Sequence, residues 1–259
     1  MENNSQNRKE FPEGMVPLGG STFKFSCHSG LSCFTLCCRN VDMLLYPYDI
    51  ILLKKRLQLR SGEFLERHTR IVQGHNPYFP SLMMRMNENN SCPFLSDQGC
   101  EVYQDRPFSC RMYPLERAVN RDPGKLEERE FYFLTEHEYC KGHGQGPEWK
   151  VGEWLRDQQL LFHNTMAEQW TEMDTLFAGN PWDGEGVAGP KQKLAFMVCY
   201  NVDDFRDYVQ HHNLLSQFKL SRSRVRGIES DDESLLTFGF DWLKLVLAGQ
   251  PTLKFKGGK

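Results

Sequence analysis

The stretch FSCHSGLSCFTLCC, Phe25 to Cys38, places Cys27, Cys33, Cys37 and Cys38 close together, and the remaining chain is best read outward from it. A second block, CPFLSDQGCEVYQDRPFSCRMYP, adds Cys92, Cys100 and Cys110, and Cys140 follows in YCKGHGQG. Eight of the nine cysteines therefore lie in the first 140 residues, and only Cys199 lies beyond them. A shift that sharp calls for a site: the N-terminal half is built around a metal or a cluster.

The spacing narrows the choice of metal. Structural zinc takes cysteine pairs two to four residues apart, on two facing knuckles. Here the gaps are five, three and zero residues in the first block, then seven and nine in the second. Adjacent Cys37 and Cys38 also send their side chains in different directions, which suits one small ion badly. Iron–sulfur clusters tolerate irregular gaps because they are several ångströms across and collect ligands from separate loops. Cys33 and Cys37 stand at C-x3-C, as in the radical-SAM pattern, but the third cysteine of that pattern falls on Asn40. Neither ferredoxin run fits. An iron–sulfur cluster, with [4Fe-4S] favoured and zinc as the alternative, is the cofactor expected on Cys27, Cys33, Cys37, Cys38, Cys92, Cys100, Cys110 and Cys140. Arg39, Arg106 and Arg111 flank these thiols and would offset cluster charge. Phe34, Phe94, Tyr103, Phe108 and Tyr113 would exclude water, though both groups serve equally as surface or core residues.

The 259 residues are 39% hydrophobic and 12% aromatic, as in a folded protein, with a formal net charge of -3. No basic face dominates, so no nucleic-acid or membrane partner is expected. The one basic run, SRSRVR at Ser221 to Arg226, reads as a solvated loop. The N-terminus lacks an apolar signal segment and no stretch has membrane-spanning length, so cytoplasm is expected. In a reducing compartment, clustered cysteines read as metal ligands or redox thiols, because disulfides would not persist there.

Residues 1–22 read as a flexible tail, 23–146 as the cysteine-cluster metal-binding domain, and 147–259 as a helical region packed on it. A helix is expected from Pro47, and Ser61 is expected to cap a short one. Residues 71–91 resemble a β-hairpin arm whose NENNS turn delivers Cys92, with Gly99 bending the chain before Cys100. Residues 121–138 read as a surface loop leading into a strand that ends at Cys140. Apolar spacing predicts one long helix over 149–178, and LAFMVCY reads as a buried strand or short apolar segment holding Cys199. Asn201 caps a further helix, and Ser230 with Glu233 forms a capping box for the last, which stops near Gly249. His28 reads as a surface or supporting residue. His137, His143 and His163 read as solvated or hydrogen-bonding, and Gly142, Gly144 and Gly146 as backbone clearance around the site. No nucleophile signature or convincing acid–base pair is present.

The F-x-C at Phe25 to Cys27, the C-x3-CC of Cys33, Cys37 and Cys38, the second block and the trailing C-x-G-x-G together resemble the YkgJ-type cysteine-cluster family, a zinc- or iron-chelating domain. The resemblance spans residues 23 to about 146, and the family's eight cysteines map onto the eight named above; the gap between Cys27 and Cys33 is longer than usual. It implies metal binding without supplying a reaction. Some relatives are flagellin lysine methylases with longer chains, which makes a methylase-like enzyme one alternative. The expectation is an α+β, helix-rich protein with an irregular cysteine domain and a C-terminal helical layer. Its role is redox or accessory, with a protein redox or client partner; a zinc-stabilised interaction module is the other alternative.

Overall fold

A computed structural model describes residues 16–120, 129–186 and 188–257. The chain is helix-rich α+β, with helices over much of its length and only small antiparallel sheets. It divides into two compact units, one formed by residues up to 36 together with 112–160, the other by 37–111 together with 161 onward.

In the first unit, the strand Thr22–Phe25 pairs antiparallel with His143–Lys150, in the register Thr22↔Lys150 to Phe25↔His143. Gly142 makes the approach possible: a Cβ there would stand 2.6 Å from the Ser26 carbonyl oxygen and 2.9 Å from the Phe25 ring. The strands Leu115–Asn120 and Arg129–Leu134 form a second ribbon, from Leu115↔Leu134 to Asn120↔Arg129. The second of these strands ends at Leu134, and a turn closed by Cys140 N donating to His137 O (2.8 Å) leads on to the cysteine. The strand expected to reach Cys140 therefore stops short, and residues 121–128 of the expected loop lie outside the described residues, as do residues 1–15 of the expected tail. Aromatic packing holds this unit. Trp154 meets Phe23, Phe25 and Trp149 at ring-centroid distances of 5.9, 5.7 and 5.4 Å, all edge-on, and its Nε1 donates to Met112 O. Edge-to-face aromatic pairs add to the energy of area burial alone.

The second unit carries the larger core. Leu44–Leu45 and Thr69–Val72 flank Ser81–Met84 in a three-stranded antiparallel sheet, so a hairpin forms over 69–84 rather than 71–91, and the NENNS turn follows its second strand. The helix Pro47–Leu57 begins at the predicted proline and buries Ile50, Ile51 and Leu53. The helices Pro190–Tyr200, Val202–His211 and Asp232–Ala248 pack Val198, Phe205, Leu235 and Phe238 into the same core. Phe79 lies among Phe177, Trp182 and Tyr200 there.

Several local expectations are corrected. The span 149–178 is two helices, Val151–Asp157 and Leu160–Ala178, separated at Gln159, whose φ of 55° is left-handed. LAFMVCY is helical, within Pro190–Tyr200, and buries Cys199. Ser61 is the first residue of the helix Ser61–His68 rather than its cap; its hydroxyl donates to Asn201 Oδ1 and its amide to Asp203 Oδ2. SRSRVR opens the helix Arg222–Ser230, with the Ser221 hydroxyl accepting from Arg224 N. The last helix is capped by Asp231, which accepts from Ser234 N, and Gly249 ends it at φ 64°. Among the described residues no helix is long and apolar enough to cross a membrane.

Candidate metal centre

Five of the eight N-terminal cysteines belong to the second unit, and short, constrained backbone delivers each of them. Cys37 and Cys38 end the single turn Leu36–Cys38. Cys38 O accepts from Cys92 N at 2.8 Å, and Asn40 N donates to Asn90 O at 2.9 Å, which clamps the vicinal pair beside the NENNS turn. Cys92 Sγ lies 3.9 Å from Met84 Sδ, next to the sheet. Two residues of pairing, Leu95↔Cys100 and Ser96↔Gly99, close a tight bend in which Gly99 takes φ 113°. The turn Tyr103–Asp105 and the short helix Phe108–Met112 then bring in Cys110, whose Sγ is 3.8 Å from Met43 Sδ. Asp49 fixes the start of that helix, its Oδ1 accepting from Phe108 N at 2.8 Å and its Oδ2 from Tyr46 N at 2.9 Å.

These thiols perturb one another. A hydrogen bond from Cys38, working against burial, lowers Cys37 to about 7. The same bond is the main cause holding Cys38 far above the usual thiol range; burial and the charges at Cys37, Cys92 and Cys110 push in the same direction. Burial raises Cys92, with Cys100 and Cys37 adding to the rise. Burial also raises Cys100, while the Val102 amide and the Arg106 charge pull it down. Cys110 is exposed by surface area yet ringed by protein atoms; this crowding is the chief cause of its rise, and Cys92, Cys37, Asp49 and Cys100 add to it. Thiolate ligation releases the protons that such crowding retains, because the metal supplies the missing positive charge.

The arginines are built into this surrounding. Arg106 is buried, its guanidinium 3.9 Å above the Tyr103 ring and its Nη1 donating to Tyr103 O. Arg111 is also buried and donates to Gln104 O. His163 is only 6% exposed and lies against Tyr48 and Phe108, so the solvated reading of this residue is corrected.

The other three cysteines belong to the first unit. Cys33 is buried, and its Sγ accepts from Lys141 N at 3.1 Å, one residue beyond Cys140. Cys140 is hydrogen-bonded to Tyr113, which, after burial, is the main cause raising that phenol well above its usual range. The Tyr113 hydroxyl also meets His143 Nε2 at 3.1 Å, and its ring stacks on His137 at 5.6 Å. Cys27 follows Ser26, whose amide donates to Gly142 O at 3.1 Å. His28 Nδ1 accepts from Gly30 N and shapes the loop between Cys27 and Cys33.

Among the described residues, no three His, Cys, Asp or Glu side chains stand in ready metal-binding geometry. The donor chemistry nevertheless suits a thiolate-bound metal: Cys37 and Cys38 are hydrogen-bonded to each other, and Cys92, Cys100 and Cys110 lie within reach of the Cys37 charge. Asp49, Met43 and Met84 were not singled out as site residues from the sequence. Asp49 follows Pro47 in a helix-start pattern, but its bond to Phe108 lies far along the chain, and nothing in the sequence marks either methionine.

Residues 26–141 match the family model described as CxxCxxCC, "Putative zinc- or iron-chelating domain". No curated protein and no solved structure matches the chain.

Proposed function

We propose that the cysteine domain, as a zinc- or iron-chelating domain, holds an iron–sulfur cluster, [4Fe-4S], and that the protein is a redox or accessory iron–sulfur protein. The supporting observation is the set of five mutually interacting thiols, Cys37, Cys38, Cys92, Cys100 and Cys110. A single zinc ion takes four donors from paired knuckles; a vicinal pair plus three cysteines from separate turns suits a larger cluster. When bound, such a cluster supplies one-electron chemistry. Arg106 brings positive charge beside Cys100, and Phe94, buried beside His68, keeps that side dry. Cys37 and Cys110 reach the surface, which supports exchange with a protein partner in the cytoplasm.

The test is iron, zinc and acid-labile sulfide content, with a visible spectrum, on protein purified without oxygen. Iron and sulfide at about four per chain, with brown colour, is the expected outcome. The family description names zinc as well as iron, and this favours one second reading, a zinc-stabilised interaction module. Zinc without sulfide would overturn the redox reading in its favour.

A further inference from the structure

We propose that the second unit carries a small-molecule site without cysteines: a cleft of about 430 Å³, lined by the helices Val202–His211 and Arg222–Ser230, that takes an alkyl chain ending in a carboxylate or phosphate. The proposal is independent of the metal reading, since no thiol lines this cleft.

Helical spacing builds the walls. Arg206, Val209 and Gln210 on one helix, and Val225, Ile228 and Glu229 on the other, recur at i, i+3 and i+4, so each helix turns one face to the cleft. Leu215 and Ser216 come from the single turn Leu214–Gln217, and Leu235 from the start of the helix Asp232–Ala248. The segment after that helix crosses back along the rim: Lys256 N donates to Gln217 O and Lys219 N to Lys254 O, both at 2.7 Å, and Phe218 is bridged to Phe255. Arg206 ties its own helix to the end of the other, Nη1 donating to Ile228 O at 2.8 Å and Glu229 O at 2.6 Å, and Nη2 to Asp232 Oδ1 at 2.7 Å. These bonds preform the cleft, and a preformed site spends little of a ligand's binding energy on ordering the protein.

The lining sets the class of ligand. A volume of this size falls in the range of small-molecule sites, about 300–1,000 Å³. Its apolar part is wholly aliphatic: Val209, Ile228 and Leu235 are buried at the floor, and Leu215 and Val225 are half-buried in the walls. Such a surface covers an alkyl chain and offers no ring on which an aromatic body would stack. The charge at the rim points to an anionic head. Lys256 lines the cleft, Lys219 and Lys254 are exposed on the strip that carries it, and among the described residues none of the three enters an ion pair. Glu229 is the single carboxylate among the described lining residues, and nearby Asp232 is already held by Arg206 and Lys54. Gln210, Asn213 and Ser216 add neutral hydrogen-bond donors around the same rim.

Isothermal titration calorimetry tests the site on the full chain purified without oxygen. The probes are decanoate and decyl phosphate, each kept below its micelle-forming concentration, with decanol and decylammonium as controls. Saturable binding of about one anion per chain is expected for at least one head group, and the tighter of the two tells carboxylate from phosphate. Decanol should bind about tenfold more weakly, and decylammonium more weakly still. Lys256→Glu, at an exposed position, should weaken the anion about tenfold by reversing the rim charge. Gln210→Trp, also exposed, should abolish binding by filling the cleft. Both variants should keep the wild-type circular dichroism and metal content. The proposal fails if neither anion binds the wild type saturably, if decylammonium binds as tightly as the anions, or if either folded variant binds as the wild type does. Should both variants unfold, salt dependence in the wild type decides: the anion should weaken with added salt while decanol does not, and equal responses would overturn the site.

Discussion

Asp49 is almost wholly buried and its carboxylate accepts two backbone amides, yet desolvation outweighs those bonds and raises it to about 6. His163, also buried, is pushed down to about 4, first by desolvation and then by the charges of Arg111 and Arg106. The two act in opposite directions on stability. Asp49 binds its proton more tightly when folded, so its contribution is full below about pH 4 and is lost as pH rises through about 6. His163 binds its proton less tightly when folded, so its contribution is present above about pH 6.5 and is lost as pH falls through about 4. Urea unfolding of Asp49→Asn should therefore lose the wild-type decline between pH 4 and 6. His163→Phe should resist acid better than wild type over the same range, with each slope amounting to about 1–3 kcal/mol. A His163→Phe curve parallel to wild type would refute the assignment. Neither residue stood out in the sequence, because burial of a lone Asp or His comes from distant packing: Phe108 on Asp49, and Tyr48 with Phe108 on His163.

Helix starts were largely legible, and helix interiors less so. Pro47 marks its helix, and Asn201 precedes the next start as expected, although no side-chain cap bond forms there. LAFMVCY is apolar on nearly every face, which removes the periodicity that separates a buried helix from a strand. The break between Val151–Asp157 and Leu160–Ala178 is hidden because apolar spacing continues across Gln159. The helix Asp232–Ala248 illustrates close packing of elements: a Cβ on Gly239 would stand 2.6 Å from Val198 Cγ1 and 2.8 Å from the Phe205 ring. Gly239→Ala should cost about 1–3 kcal/mol in denaturant unfolding despite its better helix propensity; a stabilised variant would mean that these helices separate freely. At the other sign, Gln58 ends its helix at φ 56° with its amide bonded to Lys54 O and Lys55 O. Gln58→Gly should gain about 0.5–1 kcal/mol by relieving the left-handed backbone. Buried Lys54 pairs with Asp203 at 2.9 Å and Asp232 at 3.0 Å, and Arg206 reaches Asp232 at 2.7 Å, so three helices share one ionic knot. Lys54→Met should destabilise by about 3–5 kcal/mol, since two carboxylates lose their buried partner. A loss below 1 kcal/mol would show that water already reaches them.

For the molecule as a whole, the cysteine family and the helix-rich α+β class were legible, because thiol density and the second block are local features of sequence. Only three residues separate Cys33 from Cys37, yet the two fall in different compact units, a division set by core packing that spacing does not report. The segment 91–112 is held by two-residue pairings and single turns, whereas Pro190–Tyr200 and Asp232–Ala248 are full helices in the main core. Stripping metal without oxygen should therefore raise amide hydrogen exchange in 91–112 and leave those two helices protected. Equal loss of protection in both would show that metal binding and core folding are a single event.

The alternation of the chain between its two units has a further consequence during synthesis. Residues 37–111 carry five thiols, and the core that steadies them includes Phe177, Tyr200, Phe205 and Phe238, which leave the ribosome much later. At about 5–20 residues per second, the thiols wait several seconds for those side chains. For that interval a nascent chain offers Cys37, Cys38, Cys92, Cys100 and Cys110 to any oxidant or stray ion, so correct loading of the centre belongs after translation, when the last helix has closed the core.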